Sequence, residues 1–351
     1  PKQTPFHLPW NQYDEYWLCL QPTSPFGSNG LNALLESHQF ETRQGDQEYY
    51  LRKTDRGWAT VWDTIRGPLQ EHAADTGVAI IAGETEPDDK QVVFSKKHIE
   101  DINDIMGSLW LGDAVLRDDV LCYLQPVLSS TSKTMGYESF ARVRSENGDI
   151  IGGFEIVQAS RALGIEYALD RYLHVQAIKT YVGGNLSGYL FINFFPGFIQ
   201  RPEVYLEGLS EAVREYGIIS KNMVLDFTES ETDHDLTHLG RVTEYCRNTG
   251  YAIALDDMES IANAKKLIPE IKPDFVKLPR KITSNHDRAE ELAIITEIIA
   301  LAKSKGAAVI AEGIETESTF EKMKQLGVDM FQGYLFSPPV EIQVEQPQTG
   351  T

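Results

Sequence analysis

The chain has 351 residues, room for two domains, because a single core seldom grows beyond ~250–300 residues. Its 42% hydrophobic and 24% charged residues are ordinary for a soluble globular protein. A net charge of −20 excludes a nucleic-acid-binding surface, which needs clustered Lys and Arg, yet suits a phosphate ligand met through a divalent cation.

The first 95 or so residues read as a small α/β unit with a regulatory role. Strands are expected at Tyr16–Leu20, Glu48–Arg52, Val78–Ala82 and Val92–Ser95, and an amphipathic helix at Ala59–Ala74. The polar stretch Gly83–Lys90 interrupts the pattern, and no catalytic constellation stands out. Residues 96–118 form a connector helix with Ile99, Ile102, Met106, Leu109 and Ala114 on one face. That face packs on its neighbours or, in a sharper reading, at a homodimer interface.

After Asp118 short apolar runs alternate with longer amphipathic segments. The runs are Leu121–Val127, Gly136–Val143, Tyr189–Asn193, Met223–Phe227, Tyr251–Leu255, Asp274–Lys277, Ala307–Ala311 and Met330–Phe331. Helices are expected near 154–164, 166–182, 203–217, 234–249, 259–268, 288–306 and 316–326. Strands buried on both faces and separated by helices mean a parallel sheet. About eight of them suggest a closed (β/α)8 TIM-like barrel over 119–342, with 343–351 a disordered tail. The loop Ser129–Met135 is too short for a helical crossover, so one strand pair is antiparallel.

Cys19, Cys122 and Cys246 have no paired spacing, which fits a reducing, cytoplasmic setting without disulfides or zinc. Runs such as Val78–Ala82 fall far short of the ~20 residues that cross a bilayer, and no signal peptide is visible. The chain begins at Pro1 rather than Met, which leaves room for an upstream segment.

In such barrels the working residues gather where strands end. Here those ends carry Asn193, Asp226 with Glu229, the pair Asp256 and Asp257, Lys277, Glu312 and Gln332, and Glu138 lies within the second strand. Singly, each has a plainer use. Asp257 could cap a helix opening at Met258, Asn193 could serve a turn, and Lys277 could neutralise a neighbouring acid. Glu229, Glu231, Asp233 and Asp235 could form a solvated helix start. His234 and His238, four apart with no third ligand, read as surface residues. Together the acids would meet at one end of one barrel, where carboxylates need a cation or a proton. Oxygen donors without paired His or Cys suit Mg²⁺ or Mn²⁺ rather than zinc.

Several of these segments also follow a known order. Gln125-Pro126-Val127, Gly136-Tyr137-Glu138-Ser139-Phe140-Ala141-Arg142, Phe191-Ile192-Asn193 and Leu225-Asp226-Phe227-Thr228-Glu229-Ser230 come first. Ala254-Leu255-Asp256-Asp257, Val276-Lys277, Ala311-Glu312-Gly313-Ile314-Glu315-Thr316 and Gln332-Gly333-Tyr334 follow. In this order the chain resembles the EAL family of cyclic di-GMP phosphodiesterases from about Leu121 to Val340. The resemblance implies metal ligation by Glu138, Asn193, Asp226, Asp256 and Asp257, with two Mg²⁺ or Mn²⁺ ions per site. It implies that Lys277 orients the attacking water and that Glu312 and Gln332 support the metal and water shell. Gln125, Arg142, Glu315 and the backbone around Phe140 would hold the dinucleotide, and Glu229 would anchor a loop tied to dimer coupling.

Four segments depart from the family pattern. Asp226 replaces a Glu, Met258-Glu259-Ser260-Ile261 replaces Phe-Gly-Thr-Gly, Pro279 replaces an acidic residue, and Ser139-Phe140 replace Ala-Leu. Losing both glycines removes easy φ > 0 conformations from the loop. The expectation is hydrolysis of cyclic di-GMP to linear pGpG, slowed by these changes. The alternative is a degenerate domain acting as a cyclic di-GMP receptor or protein-interaction module. A barrel enzyme for another phosphorylated metabolite would predict a glycine-rich phosphate loop late in the barrel.

Overall fold

The computed structural model describes residues 15–22, 35–43, 48–55, 58–70, 76–145, 147–195, 199, 201–228 and 236–343. The chain divides into two compact units, one of residues 1–119 with 145–166 and one of 120–144 with 167–351.

In the first unit, strands β1 (Glu15–Pro22), β2 (Glu41–Arg43), β3 (Tyr49–Asp55) and β4 (Thr76–Ala82) form a sheet in the order β2-β3-β1-β4. All its pairs are antiparallel. Helix α1 (Trp58–Gln70) carries the chain from β3 over to β4 with β1 between them, the split βαβ order of ferredoxin-like sheets. Alternation along β1 and β4 puts Leu18, Leu20 and Val78 on one face, where Trp62, Ile65, Ile99 and Ile102 bury them.

Val92–Ser95 is not a strand. It lies in helix α2 (Asp89–Ser95), nucleated by a capping box in which Asp88 accepts from the Gln91 amide at 2.8 Å and Gln91 accepts from the Asp88 amide at 2.9 Å. Only Val92 of the run is buried, and Phe94 is 86% exposed, so the β-branched run never had two faces to cover. Helix α3 (Ile99–Arg117) then buries Ile99, Ile102 and Ala114, half-buries Met106 and Leu109, and stops at Asp118 in a left-handed conformation. The same unit contains helix α4 (Gly153–Leu163), which packs against α3.

The second unit is a closed barrel. Its strands are β5 (Val120–Ser129), β6 (Thr134–Arg144), β7 (Tyr189–Asn193), β8 (Met223–Thr228), β9 (Ala252–Asp256), β10 (Phe275–Leu278), β11 (Ala308–Ala311) and β12 (Met330–Phe331). They pair in sequence, and β5 closes the ring by pairing antiparallel with both β6 and β12. The remaining pairs are parallel, so β5 is the one reversed strand. Outer helices include α5 (Glu166–Gly183), α6 (Pro202–Glu215), α7 (Leu236–Asn248), α8 (Ile261–Ile271), α9 (Ala289–Ser304) and α10 (Glu317–Gln325).

The barrel interior is layered by the two-residue period of strands. Val127, Phe191, Val224, Ala254, Phe275, Ile310 and Met330 fill an apolar layer. Two residues further along each parallel strand stand Asn193, Asp226, Asp256, Lys277, Glu312 and Gln332, while on the reversed β5 the step runs back to Gln125. An apolar plug beneath a polar layer follows from this spacing.

Candidate active site

Each polar residue is held by ladder hydrogen bonds that run past the strand ends. The Glu312 amide donates to Leu278 O, the Gln332 amide to Ala311 O, the Met258 amide to Lys277 O and the Phe194 amide to Asp226 O, at 2.9–3.1 Å. Behind Glu312 the chain turns through Gly313 at φ 61°, where a Cβ would strike Arg280. That is one position where only glycine fits.

Lys277 is the hub. Its Nζ lies 2.6 Å from Glu312 Oε1, 2.7 Å from Asp226 Oδ2, 3.1 Å from Glu138 Oε2 and 3.3 Å from Asp256 Oδ1. Its side chain is 1% exposed. Gln332 Nε2 donates to Gln125 Oε1 at 2.9 Å and to Glu138 Oε2 at 2.8 Å, while Gln125 Nε2 donates to Ser337 O at 2.8 Å.

The electrostatics are unbalanced. Four carboxylates face one ammonium, so three negative charges stay without a partner if all ionise. Burial raises the carboxyl pKa values of Glu138, Asp226 and Glu312; the charge of Asp256 adds to this and Lys277 offsets part of it. For Lys277 burial favours the neutral amine, but Asp226, Asp256, Glu138 and Glu312 outweigh it and hold the ammonium well above its ordinary value. Asp257, at the rim, is pushed up to about 6 by desolvation and then by Asp256.

The donor set fits divalent metal. Oxygens of Glu138, Asp256 and Glu312 lie within 4.8 Å of one another. Asp226 Oδ1 and Gln332 Oε1 are fully buried and, among the described residues, accept no hydrogen bond. All-oxygen donors match hard cations such as Mg²⁺, Mn²⁺ or Ca²⁺.

A pH prediction follows, with its sign fixed by the raised carboxyl pKa values. Without metal, this cluster favours the folded state while its carboxyls are protonated, and that contribution is lost as pH rises through their raised values. Cations bind the ionised form, so Mn²⁺ should raise the melting temperature more near about pH 8 than near about pH 5. An equal shift at both values in thermal denaturation would show that the cation binds elsewhere.

Above the cluster an open pocket of about 350 Å³ is lined by Gln125, Glu138, Phe140, Asn193, Asp256, Glu312, Glu315 and Gln332, all expected from the sequence. Gly313, Gly333 and Tyr334, from the quoted motifs, also line it, and so does Arg280, which the sequence reading did not name. The Gln332-Gly333-Tyr334 segment contained the signal for Tyr334. Arg280 had only its place after the Lys277 strand, yet its Nη2 meets Glu315 Oε1 at 2.9 Å on the pocket wall.

Other expected residues sit differently. Arg142 does not line the pocket: its guanidinium lies over the Tyr123 and Phe140 rings, 5.8 and 5.9 Å from their centroids, and donates to Ala141 O. Asp257 adopts φ 55° and caps no helix, because Ser260 accepts from the Asn263 amide and opens α8 instead. Glu229, with Glu231, Asp233, His234 and Asp235, lies outside the described residues. Asn193 has a support that sequence reasoning missed: the buried His174 ring reaches its carbonyl at 2.9 Å and Asp170 at 3.3 Å.

Comparison with known proteins agrees with this architecture. The model of the EAL domain matches residues 109–339. Over 254 residues, 68% of this chain, the sequence is 25% identical to the probable cyclic di-GMP phosphodiesterase PdeI of Escherichia coli K12 and covers 32% of that protein. A standalone versatile EAL protein from Vibrio cholerae O395, solved in a cyclic di-GMP-bound form, matches with a TM-score of 0.55 at 27% identity. That match covers 63% of this chain and 92% of the other. YkuI of Bacillus subtilis, solved with cyclic di-GMP and calcium, shares the fold with a TM-score of 0.55 at 24% identity, covering 67% of this chain and 58% of that one. The chain spans 28–44% of the length of the first curated relatives it matches. Among the described residues no helix is long and apolar enough to cross a membrane.

Proposed function

The chain belongs to the EAL domain family, and from that premise we propose that it is a metal-dependent phosphodiesterase that opens cyclic di-GMP to linear pGpG. One observation carries the reading: Lys277 and four carboxylates from four different strands converge on one point at the floor of an open pocket. A pure receptor has no evident use for that much buried charge, whose desolvation costs folding energy that a catalytic role would explain.

In this reading Glu138, Asn193, Asp226, Asp256 and Asp257 would hold Mg²⁺ or Mn²⁺. When bound, such ions acidify a water and neutralise charge on the phosphoryl group. Glu312, whose carboxyl is raised and 19% exposed, takes a proton from the attacking water, and Lys277 fixes Glu312 and Asp226 in place. The water oxygen bonds to phosphorus and the P–O3′ bond breaks. The leaving oxygen is protonated from solvent as the 3′-hydroxyl, Glu312 gives its proton back to solvent, and the phosphate stays on the 5′ side. Gln125, Phe140, Glu315 and Gln332 shape the ligand side of the pocket. The test is product analysis by chromatography. Linear pGpG as first product supports a single cut, whereas direct release of mononucleotides would contradict it.

The receptor reading rests on a specific observation too. Met258 is fully buried with its amide tied to Lys277 O, and Glu259 is paired to Lys281 at 2.8 Å, so the loop beside the acids is fixed in its own way. Restoring Phe-Gly-Thr-Gly at 258–261 should raise turnover, by up to about a hundredfold if the present loop displaces a reacting group by ~1 Å. Stability should fall by about 1 kcal/mol, since a glycine would open α8. No gain in rate would place the limitation at Asp226 or Pro279.

A further inference from the structure

A second cavity, of about 380 Å³, lies in the first unit and shares no lining residue with the pocket over the acidic cluster. Its floor is apolar. Ile102, Ile105 and Leu109 recur along one side of α3, Ile80 comes from the helix-covered face of β4, and Leu163 closes it from the end of α4. The volume falls within the range of small-molecule pockets.

The charged groups at its edge are all of one sign. Lys97 and Arg161 line it, and no carboxylate does, in a chain where 52 acidic residues outnumber 32 basic ones. Lys97 is positioned by two backbone bonds to Val78, at 2.7 and 3.0 Å, and among the described residues its ammonium makes no ion pair. Arg161 reaches Glu166 only at 3.8 Å. The negative end of α4 also points this way, but the Gly164 and Ile165 amides satisfy Arg161 O and Ser160 O at 3.0 Å. Lys97 is therefore open to an anion, and Arg161 is held only by its long pair with Glu166.

We infer that this cavity binds a small amphipathic acid, its apolar body against Ile80, Ile105, Leu109 and Leu163 and its anionic head between Lys97 and Arg161. A polar solute would waste the apolar floor, and a neutral apolar one would make no use of Lys97 or of the weakly held Arg161. The inference is independent of the phosphodiesterase reading.

Isothermal titration of the whole chain with octanoate tests it, using 1-octanol and octylamine as neutral and cationic controls. Saturable one-to-one binding of octanoate is expected, with both controls at least about tenfold weaker. Lys97 is exposed, so Lys97→Gln should fold normally and bind octanoate roughly tenfold more weakly. Leu109→Trp, which fills the floor, should abolish binding. Sedimentation with phosphatidylglycerol vesicles separates a free acid from a lipid surface, and no sedimentation is expected. Absence of octanoate binding, equal affinity for 1-octanol, or wild-type affinity in both variants would overturn the assignment. Binding to vesicles without binding to octanoate would do the same.

Discussion

Lys277→Met should lower the melting temperature of the metal-free protein by on the order of 10 °C near neutral pH. The side chain is 1% exposed and pairs with four carboxylates, so the variant leaves a buried cluster of one sign. Removing one partner of a buried pair costs about 3–5 kcal/mol, and a unit of this size shifts by about 2–4 °C per kcal/mol. The sign of the pH dependence is fixed. Without the ammonium the acids rise further, so the loss should be largest at high pH and shrink as they protonate. Mn²⁺ should recover much of it, because the cation supplies the charge the lysine did. Turnover should fall by at least about a hundredfold even in the recovered protein, since Glu312 and Asp226 lose their common donor. An unchanged melting temperature would mean that Lys277 is not the counter-charge.

Glu138→Ala should remove turnover almost entirely, by on the order of a hundred- to a thousandfold, while cyclic di-GMP binding changes far less. Glu138 is 4% exposed and sits where Lys277 and Gln332 meet, at 3.1 and 2.8 Å. It is also one of three carboxylates near enough to share a cation. Its loss therefore removes a metal donor and the acceptor that orients Gln332. Gln332 keeps Gln125 as partner, so the fold should survive. Metal-dependent hydrolysis persisting in this variant would sink the site assignment.

Much of the barrel could be read in advance because its strands are short apolar runs between amphipathic helices. Tyr189–Asn193 and Met330–Phe331 fall at the expected residues, and the short loop after Ser129 does mark the reversed strand. Most of the acids were visible because they stand where short apolar runs end, as Asp226, Asp256 and Glu312 do. What stayed hidden depends on long-range geometry. Nothing local says that Lys277 meets Asp226 and Glu138, that Arg280 takes Glu315, or that Arg142 lies on aromatic rings. The misread element has another cause: a side-chain cap overrode a pattern. Asp88 with Gln91 turned the Val92 run into a helix.

The central claim is that this cluster turns over cyclic di-GMP rather than only holding it. The direct measurement follows binding and pGpG formation together, in one sample of purified chain with cyclic di-GMP and Mg²⁺ or Mn²⁺. Metal-dependent pGpG that stops on chelation and is absent from Glu138→Ala is the expected result. Tight binding with no product under either metal would contradict it and make this barrel a receptor.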